Sequence, residues 1–595
     1  MNVYYYGGFH RKYRYEPLIG VNDRYFCCLG GVLLQMNGAR ALLESLKAEG
    51  VEVVFGYPGG AVLTLYDEVY KMKFPHVLTR HEQGAAHAAD GYARATGKVG
   101  VAFATSGPGA TNLVTGIATA HMDSVPMVCI TGQVANPYIG KDSFQEADIV
   151  GITTPITKHN YLVKDAAELP RVVKEAFYIA RTGRPGVVVI DVAKDVFDTP
   201  IDYEYPAHVD LHGYTDHIPF DMESVRAAAE ALSTARQPLL FVGGGVVLSD
   251  TAAYVREILA LTGMPSVATL MGIGGVAAET EGYTGMAGMH GSYASNMAIQ
   301  ECDLLIALGT RFSDRVTGNT AAFAPKAKIV HFDIDPAELN KNVRVDIPII
   351  GDLRQTLPAF VDAVRAVQDD LAVRFRPWRG EVLSMERAHP LGWKKSEDIR
   401  PEELISRVRE LVPEDAICVT DVGQHQMWAA QFFGCHEPRH FLTSGGLGTM
   451  GYGLPAAIGA KLACPDQEVV LITGDGSIMM NCQEFATMAD NDIDVKIVIV
   501  HNSILGMVGQ WQRLFYSHHY SASELKGKTD FVKLAEAMGV AACRIETREE
   551  FAEVLPRVLR EKGARLIDVI VPEEADVVPM VPGGKRLDQM VLGGR

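Results

Sequence analysis

Cysteine is scarce in this chain. Its 595 residues include nine cysteines, which are single except for the pair Cys27-Cys28, and no CxxC pair occurs. Zinc ribbons and secreted disulfide frameworks depend on paired or regularly spaced cysteines, so neither is indicated. We expect the thiols to stay reduced, as they do in a cytosol.

Basic residues are fewer than acidic residues in this chain. The chain has 55 Lys and Arg against 72 Asp and Glu, which gives a formal net charge of -17. Nucleic-acid-binding domains usually carry a basic stripe, so nucleic acid is not an expected partner.

Long apolar runs are missing too, so no membrane span is expected. The 48% of hydrophobic residues indicates a well-cored protein, and the length predicts roughly three or four domains.

The first 35 residues differ from the rest in composition. Residues 1–35 are rich in Tyr, include a basic run at 11–14, lack Ser, and contain Glu16 and Asp23. A signal peptide has a longer apolar centre, and a transit peptide is rich in Ser and poor in acids. We therefore expect a disordered tail or a mis-assigned start, with amphipathic helical patterning from Met36 onward.

Strand-like apolar runs alternate with helical stretches along the remaining chain. This alternation predicts parallel sheets with crossover helices, and thus an α/β fold of three doubly wound domains. The domains are predicted at 36–200, 220–365 and 401–585, with a charged linker at 366–400. The predicted strands are 51–55, 99–104, 127–131, 187–192, 238–242, 304–308, 328–332, 416–420, 469–473, 495–500 and 565–571.

A weak internal sequence similarity links the outer two domains. Thr105-Ser106-Gly107 and Thr443-Ser444-Gly445 each precede a Gly-rich turn and an apolar helix, at 110–120 and 454–462. Paired related domains suit a ligand that is held between them.

Asp475 and Asn502 mark a candidate metal site. Asp475 follows a predicted strand in the turn Gly474-Asp475-Gly476, and Asn502 comes 27 residues later, after the next strand. The carboxyl ends of parallel strands meet at one sheet edge, where open α/β sheets bind ligands. Carboxylate and amide oxygens suit Mg²⁺ with a diphosphate, and this spacing resembles the thiamine diphosphate signature. Gly-Asp-Gly alone is also a common turn.

Glu82 is a candidate for proton chemistry. It lies in a charged cluster that opens a predicted helix at 84–96. One interpretation is a carboxylate that favours the helix start through the helix dipole. The other is a partly desolvated Glu that drives the aminopyrimidine of thiamine diphosphate to its imino tautomer, so that the cofactor can lose its C2 proton.

Many ordered segments between Met36 and Leu587 are similar to one family, the large catalytic subunits of acetohydroxyacid synthases, also called acetolactate synthases. The segments that carry this resemblance are 55–60, 80–87, 105–112, 123–126, 144–146, 156–161, 446–457 and 505–508.

This resemblance implies a thiamine diphosphate site at a subunit interface. Mg²⁺ is expected on Asp475, Asn502 and the Ile504 carbonyl, with Met450 wedging the cofactor into a bent shape. One departure is His501, where the family more often has Asn. The other residues expected to bind this cofactor are Gly56, Pro58, Glu82, Gln424, His425, Gly448, Gly474, Gly476 and Ser477.

The middle domain is expected to bind FAD. Its turn at Gly243-Gly244-Gly245 has Leu248 in the third glycine position of GxGxxG, so a packing turn between strand and helix is equally open. The resemblance favours the flavin, in a mainly structural role. The expected FAD residues are Arg184, Gly243, Gly244, Met289, His290, Gly309, Arg311, Asp333, Asp335 and Asp352.

Five further residues are expected to shape the substrate channel. The resemblance implies that Trp511 shapes the acceptor pocket and that Arg315 binds the acceptor carboxylate, for which a planar guanidinium is suited. The alternatives are a core indole and a surface ion pair with Asp314. Phe144, Gln145 and Lys158 are expected in the same channel.

The implied reaction joins two 2-oxo acids. Pyruvate loses carbon dioxide, and its two-carbon unit adds to pyruvate or 2-oxobutyrate, giving 2-acetolactate or 2-aceto-2-hydroxybutyrate for branched-chain amino acid synthesis. The alternatives are a pyruvate oxidase or 2-oxo acid decarboxylase on the same fold, and a silent scaffold. The resemblance also implies a homodimer or homotetramer and a small regulatory subunit. No nucleic acid or membrane partner is expected.

Overall fold

The computed structural model describes residues 34–216, 218–367, 370–525 and 529–593. Most of the predicted N-terminal extension lies outside these residues. Leu34 and Gln35 belong to a strand, so the first described strand begins two residues before the predicted domain start at residue 36. Among the described residues, no helix combines the length and apolarity that crossing a bilayer requires.

The N-terminal unit contains a six-stranded parallel sheet and a small antiparallel ribbon. Its strands are β1 (Leu34–Asn37), β2 (Val54–Gly56), β3 (His76–Leu78), β4 (Gly100–Ala104), β5 (Met127–Gln133), β6 (His159–Val163), β7 (Val187–Ala193) and β8 (Pro200–Tyr203). Its helices are α1 (Gly38–Ala48), α2 (Leu63–Met72), α3 (Glu82–Thr96), α4 (Pro108–Asn112), α5 (Val114–Met122), α6 (Ile149–Thr153), α7 (Leu169–Arg181) and α8 (Lys194–Asp198). The sheet order is β3-β2-β4-β5-β7-β6, and β1 pairs with β8.

The middle unit repeats this architecture with a sheet of order β11-β10-β9-β12-β13-β14. Its strands are β9 (Pro238–Val242), β10 (Ser266–Ala268), β11 (Tyr283–Met286), β12 (Leu304–Leu308), β13 (Lys328–Asp333) and β14 (Ile347–Ile350). Its helices are α9 (Met222–Thr234), α10 (Gly244–Leu248), α11 (Ala252–Thr262), α12 (Tyr293–Glu301), α13 (Asp314–Thr317), α14 (Leu353–Arg365) and α15 (Leu371–Ala388).

The C-terminal unit has the sheet order β16-β15-β17-β18-β20-β19, again all parallel. Its strands are β15 (Ile417–Thr420), β16 (Phe441–Leu442), β17 (Val469–Gly474), β18 (Val495–His501), β19 (Ala541–Ile545) and β20 (Arg565–Ile570). Its helices are α16 (Pro401–Leu411), α17 (Gln424–Phe432), α18 (Gly453–Ala463), α19 (Asp475–Ile478), α20 (Glu484–Asp490), α21 (Gly506–Phe515), α22 (Phe531–Ala537) and α23 (Arg548–Arg560).

The segment predicted as a linker, 366–400, is largely helical instead. Helix α15 occupies most of it and buries Phe375, Trp378 and Val382. The indole nitrogen of Trp378 donates to the carbonyl of Pro238 at 3.0 Å, at the start of β9. The segment is therefore part of the middle unit, because its apolar side chains complete that core.

Helices α3 and α18 join the two outer units through close backbone contact. A Cβ at Gly91 would lie 2.2 Å from the Ala456 carbonyl oxygen, and a Cβ at Gly459 would lie 1.9 Å from that of Ala88. Only glycine allows the two helices to approach this closely. The Tyr452 hydroxyl, just before α18, adds a buried hydrogen bond to Asp90 at 2.8 Å.

The chain beyond β20 returns to the middle unit. Val581 and Leu587 are buried in the same core cluster as Trp378. The backbone amide of Val581 donates to the Met289 carbonyl at 2.7 Å. This C-terminal segment therefore ties the third unit to the second.

Candidate active site

The predicted metal ligands lie together at the carboxyl edge of the third sheet. Strands β17 and β18 are adjacent and parallel, so Asp475 after the first and Asn502 after the second meet at this edge. The Asp475 carboxylate accepts hydrogen bonds from the amides of Gly476 at 3.0 Å and Ser503 at 2.7 Å. Burial raises the pKa of Asp475 to about 6.

The donor set at this edge fits a magnesium diphosphate. A carboxylate, an amide oxygen and the carbonyl of Ile504 are the hard oxygen ligands that Mg²⁺ prefers. His425 lies beside them, because a Cβ at Gly474 would be 2.8 Å from its Nδ1. Its Nε2 is buried with no hydrogen-bond partner in the described chain. Burial lowers the pKa of His425 to about 3, so the ring is neutral at this edge.

Three neighbouring residues frame the same edge. The Met450 methyl lies 3.7 Å from the position of a Cβ on Gly476, so this side chain leans over the Asp475 turn. Gly448 has a φ of +72°, which favours glycine. The Ser477 hydroxyl donates to the Val422 carbonyl at 2.8 Å, which ties α19 to the end of β15.

The Gln424 side chain forms hydrogen bonds within the protein. Its side-chain nitrogen donates to the Gln510 side-chain oxygen and to the Ala575 carbonyl, both at 2.8 Å. Its oxygen accepts from Asn502 at 3.2 Å. Both side-chain N–H groups of Gln424 are therefore used within the protein, and its oxygen is used by Asn502.

His501 leaves the metal ligands in place. Its Nδ1 lies 2.8 Å from an Asp568 oxygen, and its Nε2 lies 3.7 Å from Asp475 Oδ2. The imidazole therefore bridges two carboxylates behind the metal edge.

Glu82 is buried at the first position of α3, two residues earlier than the predicted helix start. Its carboxylate accepts from the Asn112 amide at 2.9 Å. The N–H groups around the helix start have other acceptors: Gln83 donates to His81 Nδ1, and Arg80 donates to Glu484, both at 3.1 Å. Glu82 is therefore not the capping side chain, but its place in the first turn of α3 agrees with the helix-dipole interpretation.

Among the described residues, no hydrogen bond or ion pair joins Glu82 to Asp475 or Asn502. Gly56 and Pro58 follow β2 in the same unit. A Cβ at Gly56 would lie 2.8 Å from the Phe103 carbonyl oxygen, so a glycine is needed there.

The predicted channel residues of the N-terminal unit are dispersed. Phe144 is 88% exposed, and Gln145 lies against Gly107 with a φ of +61°. Lys158 does not belong to a channel wall in this chain. Its Nζ donates to the carbonyls of Ile179 at 2.6 Å and Thr182 at 2.8 Å, so it caps the end of α7 instead.

One cavity of about 1100 Å³ lies where the three units meet, and it gathers the predicted flavin residues. This volume lies at the upper end of ligand sites and suits a dinucleotide. Two buried polar atoms at its wall have no partner in the described chain, His290 Nδ1 and Glu338 Oε2. The predicted residues that line it are Arg184, Gly244, Met289, His290, Gly309, Arg311, Asp333 and Asp352.

The turn at Gly243 has the packing role that one interpretation predicts. A Cβ at Gly243 would lie 2.2 Å from the Gly309 carbonyl oxygen, so this glycine is required for packing. Gly244 and Gly245 line the cavity. Arg184 reaches the same wall from the N-terminal unit and pairs with Asp335 at 3.0 Å.

Arg315 and Trp511 form one wall of this cavity. The guanidinium carbon lies 5.7 Å from the indole centroid, within the range of a cation–π contact. Asp314 is 4.0 Å from Arg315 and both are exposed, so this ion pair is weak. Trp511 is only half-buried and borders open space, which argues against an ordinary core role.

Asp123 and Arg439 have site positions that no sequence argument assigned. The Asp123 carboxylate accepts from the amides of Gly445 at 3.1 Å and Gly446 at 2.7 Å, in the turn before Gly448. Arg439 donates to the Arg94 carbonyl at 3.0 Å from the third unit. Both line the cavity. Neither forms a local motif, so only the fold reveals them.

Comparison with known proteins identifies all three units. The N-terminal, central and C-terminal domain models of thiamine pyrophosphate enzymes match residues 36–152, 225–360 and 421–569, and the first and last are described as binding thiamine pyrophosphate.

Full-length relatives carry one common name. An acetolactate synthase of Mycobacterium bovis is 47% identical over 566 residues, which cover 94% of this chain and 92% of the relative. A probable acetolactate synthase large subunit of Methanocaldococcus jannaschii is also 47% identical, over 93% of this chain and 95% of the relative. The large subunit of Parasynechococcus marenigrum is 48% identical, over 93% and 91%.

Proposed function

The chain belongs to the thiamine pyrophosphate enzymes, among the acetolactate synthase large subunits, and we propose how its own residues carry out the joining of two 2-oxo acids. Bound thiamine diphosphate supplies the carbon nucleophile and accepts the electrons that carbon dioxide leaves behind. The observation that supports this most directly is the metal edge, where Asp475, Asn502 and the unpartnered His425 Nε2 converge.

We propose that Asp475, Asn502 and the Ile504 carbonyl hold Mg²⁺, and that His425 donates to the diphosphate. Glu82 holds a proton against the aminopyrimidine ring, where burial among Ala and Gly strengthens its hydrogen bond. Met450 supports the bent cofactor. These residues orient the reacting groups and exclude water, which favours joining two acids over protonating the first.

The acceptor acid is proposed to enter beside Arg315 and Trp511. The guanidinium can pair with the carboxylate of a 2-oxo acid, and its stacking on the indole fixes its plane. FAD is proposed for the 1100 Å³ cavity that borders this wall. Its role there is structural, because the reaction has no net redox change.

A second copy of the chain is proposed to complete each site, since Glu82 makes its polar contact within its own unit. Apolar side chains exposed on both outer units suit such an interface, including Tyr138 at 59%, Phe144 at 88% and Met480 at 52%. A small regulatory subunit is a further proposed partner, because two of these relatives are named large subunits. Its addition should change turnover and inhibition by valine; no change in either contradicts it.

A product assay with pyruvate tests the reaction. The purified protein is expected to be yellow and to form acetolactate only with both thiamine diphosphate and Mg²⁺. Acetaldehyde or acetyl phosphate as the main product would instead indicate a decarboxylase or an oxidase.

Replacing Glu82 tests its role in that reaction. Glu82→Gln should lower kcat by roughly 100-fold or more, the usual worth of a positioned proton-transfer group. Glu68→Gln, a buried glutamate with a lysine partner in the same unit, should retain activity. A Glu82→Gln variant as active as the parent contradicts the assignment.

A further inference from the structure

Three buried side-chain amides connect the metal edge to the C-terminal segment. Asn502, Gln424 and Gln510 are each at least nine-tenths buried. Asn502 donates to Gln424 at 3.2 Å, and Gln424 donates to Gln510 at 2.8 Å. Gln510 in turn donates to the Val577 carbonyl at 3.1 Å and accepts from the Val577 amide at 2.9 Å.

The bonds at Val577 fix the orientation of Gln510. A backbone amide can only donate and a carbonyl can only accept, so the two bonds define which end of the Gln510 amide carries oxygen. That oxygen then faces Gln424 and accepts from its nitrogen. A second acceptor, the Ala575 carbonyl, holds the same Gln424 nitrogen at 2.8 Å. The Gln424 oxygen is therefore left facing Asn502.

The direction of these hydrogen bonds matters because an asparagine binds Mg²⁺ only through its oxygen. With its nitrogen held by Gln424, the Asn502 amide must direct Oδ1 to the other side. There Oδ1 lies 3.3 Å from the Ile504 amide, in the loop that supplies the proposed carbonyl ligand. Gly506 makes the approach possible, since a Cβ there would be 2.0 Å from the Gln424 oxygen.

We propose that Gln510 is a positioning residue for the metal site, and that two C-terminal residues set the orientation of Asn502, Val577 through Gln510 and Ala575 through Gln424. The proposal rests on the proposed role of Asn502 as a magnesium ligand. It assigns a function to a residue next to Trp511, and it makes the C-terminal segment part of the metal site.

The affinity for Mg²⁺, measured in a set of variants, tests this relay of hydrogen bonds from Val577 through Gln510 and Gln424 to Asn502. Mg²⁺ is titrated by calorimetry into the full-length protein with saturating thiamine diphosphate. Gln510→Leu should weaken binding on the order of tenfold or more, the usual effect of removing a partner behind a metal ligand. Gln467→Leu is the matched control, because its amide donates to the distant Asp415 carbonyl. It should bind Mg²⁺ as the parent does.

The Asn502→Asp background separates orientation from general damage. Either oxygen of a carboxylate can bind Mg²⁺, so in this background Gln510→Leu should no longer weaken binding. An equal loss in both backgrounds, or no loss in either, overturns the relay. If the leucine variant fails to fold, Gln510→Met takes its place, because it keeps the length of the side chain and removes the amide that accepts from Gln424.

Two further measurements complete the design. Mn²⁺ in place of Mg²⁺ gives an electron paramagnetic resonance spectrum. This spectrum should change in Gln510→Leu and stay unchanged in Gln467→Leu. An unchanged spectrum in both variants contradicts the relay. Asn502→Ala tests the metal site itself. If Asn502→Ala binds Mg²⁺ as tightly as the parent, the proposed ligand set is wrong, whatever Gln510 does.

Discussion

At the scale of single residues, the buried carboxyl of Asp475 makes metal binding sensitive to pH. Its pKa of about 6 means that the metal-free carboxyl is largely protonated below pH 6. Since Mg²⁺ needs the ionised form, protons compete with it. Mg²⁺ affinity should be flat above about pH 7 and fall by about tenfold per unit below pH 6.

Calorimetric titrations between pH 5 and 8 measure this dependence. Free thiamine diphosphate in the same buffers corrects for protonation of the diphosphate. Asp475→Asn has no carboxyl to titrate, so its weak binding should vary little with pH. A parent affinity that is constant from pH 5 to 8 contradicts the assignment.

Trp511 and Arg315 should control the choice of acceptor. Trp511→Leu removes both the indole wall and the surface on which the Arg315 guanidinium rests. The preference between pyruvate and 2-oxobutyrate should shift by roughly tenfold, the scale at which an apolar wall discriminates one methylene. Competition between the two acids, with both products quantified, measures the ratio. Trp393→Leu, on the surface beside Phe432, is the control. An unchanged product ratio in Trp511→Leu argues against Trp511 as a wall of the acceptor pocket.

The chemistry of single residues was partly readable from the sequence. Asp475 and Asn502 could be placed at one edge because each follows a buried apolar strand. Lys158 could not be placed, since its carbonyl acceptors lie over 20 residues away along the chain. Asp123, Arg439 and Gln510 carry no local signal either, because their partners come from other units or from distant segments.

At the scale of elements, the close packing of α3 on α18 depends on glycine. Gly459→Ala would press a methyl group into the backbone at Ala88. Overpacking of this kind costs about 1–3 kcal/mol of the free energy of unfolding. Thermal and denaturant unfolding measure the loss.

The matched control lies on an exposed helix. Gly380 in α15 has open space around its Cβ position. Gly380→Ala should be neutral or stabilise by up to about 1 kcal/mol, because alanine favours helix. If Gly459→Ala is no less stable than Gly380→Ala, the proposed tightness of this helix contact is wrong.

The central strands of the three parallel sheets were predicted except β10, and the edge strands were not. β9 and β12 match their predicted bounds, because fully buried parallel strands are continuous apolar runs. The edge strand β6 is as long as β9 but is half-exposed, so its mixed sequence lacks that signal. Helix α15 was mistaken for a linker because it is rich in charge and contains Pro377.

At the scale of the whole molecule, each described unit contributes to the central cavity, and the C-terminal segment fastens the third unit to the second. The central claim goes one step further. Glu82 of one copy and Asp475 of another are proposed to act on the same cofactor.

A heterodimer of two inactive variants tests this claim most directly. One copy carries Glu82→Gln and the other Asp475→Ala, each with its own affinity tag, and the mixed dimer is purified through both. Sites shared between copies leave one of two sites intact, so acetolactate formation should recover to about half of the parent rate per dimer. If each chain serves its own site, every site keeps one defect, and a mixed dimer as inactive as the two variants would contradict the account.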